Sequence, residues 1–152
     1  MCQIVFTSIL DQTYQDALDA LLFFNGNQKK VLDGASLAVE HYGMPRVLAS
    51  NDRLWVTFDS GIEAQSLFVL EQAEVRPRLI GVVVYTREGD TLAVLFAAIH
   101  EDYSSGGCRE EEVLFWRILD EVSRISRRIK GITSIRLFLR KPPVTLRVNR
   151  KW

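Results

Sequence analysis

The chain has 152 residues, of which 47% are hydrophobic and 25% are charged, and its net charge is zero. This composition excludes a disordered or low-complexity chain, and no apolar run reaches the ~20 residues that a membrane helix needs. Two cysteines and two histidines are too few for a disulfide framework or a structural zinc site, so we expect no metal. We predict a single cytoplasmic domain over residues 1–152.

The zero net charge conceals an uneven distribution. Residues 1–112 carry 8 basic and 17 acidic side chains, whereas residues 113–152 carry 11 and 2, so the two parts have about −9 and +9 charges. Such a separation favours attraction between the parts, between subunits or to an anionic ligand. We expect the chain to form a homodimer or a larger homo-oligomer. No RNA-binding signature is present, so we do not expect a nucleic-acid partner.

In chain order, the first predicted element is a strand over residues 2–9, which are rich in β-branched and aromatic side chains. Asp11 is then the predicted N-cap of a helix. A second helix is predicted from about residue 28, and it ends before Gly43 and Pro45.

Strands dominate the middle of the chain. From Arg53 the apolar residues alternate with others, which predicts a strand with one buried face. Three further strands are predicted at residues 66–71, 78–86 and 91–99. The last two are apolar on both faces and are joined by a short polar turn. We therefore expect them to form an antiparallel hairpin in the centre of the sheet.

Helical spacing returns over residues 110–130, where apolar residues recur every three to four positions until Gly131 stops the helix. Strands are predicted at residues 134–139 and 144–148. The fold class that follows is α/β, more narrowly α+β, with a mixed, mainly antiparallel central sheet flanked by helices.

The segment from Leu67 to Leu139 resembles the core of the GNAT-type acyl-CoA N-acyltransferases. The resemblance is carried by a meander of strands, the turn IHEDY, the glycine-bearing stretch SSGG, the amphipathic helix and the strand ITSIRLFL. It departs from the family's phosphate-binding loop where Ser104 replaces a basic or amide residue and where Arg109 replaces a small one. Gly107 keeps the central glycine, or Gly106 does if the alignment shifts by one residue.

The resemblance implies acetyl-CoA or another acyl-CoA as cofactor and a small-molecule or peptide amine as acceptor. The backbone of one strand end would hold the pantetheine arm, and the following loop would hold the pyrophosphate. These residues are Phe96, Ala97, Ala98, Ile99, Ser104, Ser105, Gly106, Gly107, Cys108 and Arg109. Three glutamates at residues 110–112 carry charge of the wrong sign for a diphosphate at a helix N-terminus.

Catalytic candidates follow from residue type and from the resemblance. His100 is a candidate general base, and Tyr103 is a candidate proton donor to the leaving thiolate. Glu71 or Asp59 would relay a proton from the amine. The expected function is acyl transfer by direct attack of the amine. The alternative is a non-catalytic GNAT-like module for binding or subunit assembly, in which these residues are structural.

Overall fold

The computed structural model of the chain describes residues 3–23, 39–100, 111–138 and 144–148. Within them the chain forms nine strands, a short 3₁₀ turn (Gln12–Tyr14) and two helices long enough to be named, α1 and α2. The elements are β1 (Ile4–Thr7), β2 (Leu10–Asp11), α1 (Gln15–Phe23), β3 (Pro45–Ser50), β4 (Arg53–Phe58), β5 (Gln65–Glu71), β6 (Arg78–Glu88), β7 (Thr91–Ile99), α2 (Glu111–Arg128), β8 (Ser134–Leu137) and β9 (Val144–Arg147).

Six strands form the large sheet, in the order β1-β5-β6-β7-β8-β9. All neighbours are antiparallel except β7 and β8, which run parallel because α2 carries the chain back across the sheet. The predicted mixed, mainly antiparallel sheet is therefore confirmed. The predicted hairpin is also confirmed, since β6 and β7 are adjacent and central.

Helix α2 covers one face of the large sheet. Leu114, Ile118 and Val122 are buried and form a hydrophobic cluster with residues of β5 to β8. Gly131, with a φ of +89°, follows the helix in the left-handed conformation that favours glycine. The predicted amphipathic helix and its stop are confirmed. No helix in the described part of the chain is both long enough and apolar enough to span a membrane.

The other face of the large sheet is covered by α1 and by a second, three-stranded sheet in the order β2-β4-β3. Asp11 caps the 3₁₀ turn that leads into α1, because its Oδ1 accepts a hydrogen bond from the Thr13 amide at 2.8 Å. The second predicted helix is seen only in its last turn, residues 39–42, and the rest of it lies outside the described residues.

The three-stranded sheet corrects the predicted element order. Strand β3 was not expected, because its sequence PRVLAS begins with proline and alternates weakly. The predicted strand over residues 2–9 is too long: the chain leaves the large sheet after Thr7, and Leu10–Asp11 pairs with β4 instead. Asn51 and Asp52 both have positive φ angles, 53° and 63°, as a two-residue hairpin turn between β3 and β4 requires.

A candidate functional site at the end of strand β7

Within the described residues, the pairing of β7 with β8 ends halfway along β7. Strand β8 pairs with β7 only from Thr91 to Val94, and the Phe138 amide then donates to the Val94 carbonyl at 3.0 Å. Beyond that point, no strand among the described residues pairs with this side of residues 95–98, whereas Ile99 has an interaction partner.

A β-bulge marks the place where this pairing ends. Val84 of β6 is opposite Phe96, but the next residue, Tyr85, is opposite Val94, so Leu95 is an extra residue in β7. A bulge bends its strand and increases the local twist, and bulges are common beside active sites. The bend separates the residues that pair with β8 from those predicted to bind a cofactor.

The four cofactor-binding candidates on β7 alternate between the two faces of the sheet. Phe96 and Ala98 are buried in the cluster on the α1 side, so only their backbone is available to a ligand. Ala97 and Ile99 are partly exposed and belong to the α2 side. The small side chain of Ala97 leaves the strand accessible at the point where a pantetheine arm would lie.

A second bulge determines which side chains meet at this end of the sheet. Val69 of β5 is opposite Gly81, whereas Leu70 is opposite Leu79, so Ile80 is extra in β6. The shift of one residue places Glu71 directly opposite Arg78. Without it Glu71 would face an apolar side chain. Opposite charges at directly opposed positions stabilise an antiparallel pair.

Arg78 also contacts His100, the residue that follows β7. Its Nη2 lies 3.0 Å from Nε2 and 3.2 Å from Nδ1 of the imidazole. A guanidinium only donates hydrogen bonds, so a ring nitrogen that accepts from it carries no proton. The His100 amide in turn donates to the carbonyl of the bulged Ile80 at 2.8 Å. Backbone and side chain together fix the ring at the end of β7.

Two of the catalytic candidates, Glu71 and His100, therefore share a neighbour, Arg78, which the sequence analysis did not select. Glu71 is 7% exposed, and His100 is half-buried. Arg78 is directly opposite the first and contacts the second, and each of the three has hydrogen-bonding or electrostatic partners. The only sequence signal for Arg78 was a cation at the start of an otherwise apolar strand.

The remaining candidates do not join this cluster. Tyr103 and the loop residues Ser104, Ser105, Gly106, Gly107, Cys108 and Arg109 lie outside the described residues. Asp59, the other candidate carboxylate, lies at the three-stranded sheet, where its Oδ1 is 3.3 Å from Nε of Arg46. That ion pair leaves Glu71 as the better-placed carboxylate.

No family model matches the chain, and neither a curated protein nor a solved structure is significantly similar to it. Among the described residues, no three histidine, cysteine or acidic side chains converge as metal ligands. What the site can do is therefore inferred from its own geometry: a strand edge that no described strand pairs with over residues 95–98, and a polar cluster of carboxylate, guanidinium and imidazole.

Proposed function

We propose that the chain is an N-acyltransferase that moves an acyl group from acyl-CoA to an amine by direct attack. The observation that carries the proposal is the second half of β7. There, a bulged strand, unpaired by any described strand over residues 95–98, leads to the Glu71–Arg78–His100 cluster. This proximity supports a site in which a bound ligand and a proton-transfer group meet.

The edge of β7 over residues 95–98, which no described strand pairs with, suits an extended amide-containing arm. An extended ligand adds to a sheet edge through main-chain hydrogen bonds, much as a peptide strand does. The backbone of Phe96, Ala97, Ala98 and Ile99 would hold the pantetheine arm, and the predicted loop at residues 104–109 would hold the pyrophosphate. Acyl-CoA supplies the activated thioester that the amine attacks.

The polar cluster is suited to removing the proton that the attacking amine must lose. Arg78 holds His100 with an unprotonated ring nitrogen, and Glu71 lies directly across the β5–β6 pair from the same arginine. When that nitrogen is released from Arg78, it would accept the proton of the amine, and Glu71 is the proposed carboxylate of the relay. Arg78 positions the ring and does not carry the proton, because a guanidinium has no acceptor. Tyr103 is proposed as the donor to the leaving thiolate.

A second function is favoured by the same cluster. Arg78 contacts His100 and is directly opposite Glu71, an arrangement that also suits a polar network that only maintains the fold. In that case the chain is a non-catalytic binding or subunit-assembly module. Strand β9 is the edge of the large sheet, and its Leu146 is 37% exposed, which offers a surface for pairing with a second copy.

The glutamates at the start of α2 provide the test. Replacing Glu110, Glu111 and Glu112 with glutamine removes three negative charges near the proposed diphosphate. We expect CoA to bind about tenfold more tightly, or about 1.4 kcal/mol. Calorimetry with CoA measures this directly. Asp120→Asn is the matched control, because Asp120 is exposed on the same helix, more than two turns farther along.

Turnover is measured in parallel as free thiol released from acetyl-CoA with a panel of amines. Absence of CoA binding to both the parent and the triple variant would contradict the acyltransferase. A dimer seen by light scattering, together with that result, would support the assembly module.

A further inference from the structure

A polar groove lies at the other end of the large sheet. Its volume is about 680 Å³, and it is lined by Thr133, Ser134, Thr145, Arg147 and Val148. Ser134, the first residue of β8, pairs with Thr91, the first residue of β7. The proposed acyl-CoA site is at the last residues of β7. The two places are therefore separated by the length of that strand.

Two arginines share one face of the β8–β9 pair. Ile135 and Leu137 are buried under α2, and because side chains alternate along a strand, Ser134 and Arg136 face the opposite side. Ser134 is directly opposite Arg147, and Arg136 is directly opposite Thr145. The arginines are therefore diagonal neighbours, which in a sheet places them about 7 to 8 Å apart.

These cations lack a carboxylate partner in the part of the chain that the structure describes. Among the described residues, neither Arg136 nor Arg147 forms a hydrogen bond or ion pair with another side chain. Further cations lie where α2 ends just before β8, at Arg127, Arg128 and Lys130. Two like charges so placed repel each other, and an anion between them removes that repulsion.

The Asp90 carboxylate lies beside the groove, where it accepts hydrogen bonds from threonine hydroxyls. Oδ2 of Asp90 is 3.2 Å from the Thr133 hydroxyl and its Oδ1 is 3.3 Å from the Thr91 hydroxyl. Glu88 accepts a hydrogen bond from the Tyr42 hydroxyl. Neither acid forms an ion pair with the two arginines in the described structure. The Ser134 hydroxyl is 2.9 Å from the Thr91 hydroxyl. The Arg147 guanidinium and the Thr145 hydroxyl are therefore the groove donors without a side-chain partner among the described residues.

We propose that this groove binds a small phosphorylated molecule. Arg147, which lines the groove, and its diagonal neighbour Arg136 supply charged donors that match phosphate oxygens, and Thr145 supplies a hydroxyl donor. The volume is that of a small-molecule site. None of the described residues that line the groove is aromatic, so it lacks the stacking surface of a single-stranded nucleic-acid site. The site is independent of the proposed acyltransferase activity.

Inorganic pyrophosphate is the probe, titrated into ¹⁵N-labelled protein at constant ionic strength. We expect saturable shifts of the Thr133, Ser134, Thr145 and Arg147 amides. The variants Arg147→Gln and Arg136→Gln should each weaken binding about tenfold or more, because each removes a charged hydrogen-bond donor. Arg53→Gln, an exposed arginine on the other sheet, should leave the affinity unchanged.

Shifts confined to His100 and the start of α2 would place the anion at the acyl-CoA site and overturn the groove proposal. Affinity that is the same in all three variants would overturn it too, as would the absence of saturation at millimolar pyrophosphate. Duplex DNA that binds these residues more tightly than pyrophosphate would overturn the assignment to a small molecule.

Discussion

The arginines at the two ends of the large sheet differ in burial and in whether they have partners within the protein. At the end of β7, Arg78 lies among buried or half-buried groups, opposite Glu71 and against His100. At the start of β8, Arg136 and Arg147 are exposed and have no carboxylate partner among the described residues. Burial forces a charge to be satisfied within the protein, whereas an exposed charge remains available to a ligand.

The largest change in the free energy of unfolding is expected from a substitution at the buried end of the sheet. Arg78→Met keeps the apolar stem but leaves the Glu71 carboxylate, which is 7% exposed, without its cross-strand cation. Removing one partner of such a group leaves the other desolvated and uncompensated. We expect the free energy of unfolding in urea to fall by about 2 to 3 kcal/mol.

Two further variants distinguish the loss of the cation opposite Glu71 from the general effect of replacing an arginine. Adding Glu71→Gln to Arg78→Met should recover about 1 kcal/mol, because a neutral amide is less costly to bury than a carboxylate. Arg53→Met, at an exposed position, should cost less than about 0.5 kcal/mol. Equal losses for Arg78→Met and Arg53→Met would show that the buried end is not a charge-compensated cluster.

An intermediate effect is expected at Tyr42, which donates to Glu88 at the end of β6. Burial, followed by the hydrogen bond to Glu88 and that group's charge, raises the pKa of Tyr42 from 10.0 to about 12. The folded protein therefore holds the phenolic proton more tightly than the unfolded chain does. The contribution of this pKa difference to the free energy of unfolding is fully present below pH 10 and is lost as the pH rises towards 12.

Tyr42→Phe should lower the free energy of unfolding by about 1 kcal/mol at neutral pH. The variant should also lose stability less steeply than the parent between pH 10 and 12. Tyr85, whose pKa is also raised by burial, is present in both proteins, so the difference in their pH profiles reports on Tyr42. Parallel profiles would contradict the assigned hydrogen bond.

Sequence periodicity predicted the strands and the helix that bury apolar side chains strongly. Strands β6 and β7 were recognised because both of their faces are apolar, and α2 because its apolar residues recur at helical spacing. Strand β3 was missed because much of it is exposed and its alternation is weak. The Asn51–Asp52 turn was the available signal, since these two residue types tolerate positive φ angles.

The candidate site was only partly predictable, for a different reason. Glu71 and His100 were selected by residue type and by the resemblance, but Arg78 depends on the register between β5 and β6. The bulge at Ile80 shifts that register by one residue and brings Arg78 opposite Glu71. Sequence patterns identify a strand and its faces without fixing such a shift.

The smallest expected effect tests the exposed end and has the opposite sign to that of Arg78→Met. Arg147→Gln removes one of two neighbouring cations that are exposed and unpaired in the described structure. We expect the free energy of unfolding at low salt to rise by a few tenths of a kcal/mol, within the roughly 0.5 kcal/mol typical of surface changes. At about 1 M salt the Debye length is about 3 Å, so this gain in the free energy of unfolding should vanish.

Arg53→Gln is the matched control. Arg53 is directly opposite Asp11, so this variant should instead be slightly less stable than the parent at low salt. Urea unfolding at the two salt concentrations measures both variants. A loss of stability in Arg147→Gln that persists at high salt would mean that Arg147 has a structural role, and the contrast between the two ends would fail.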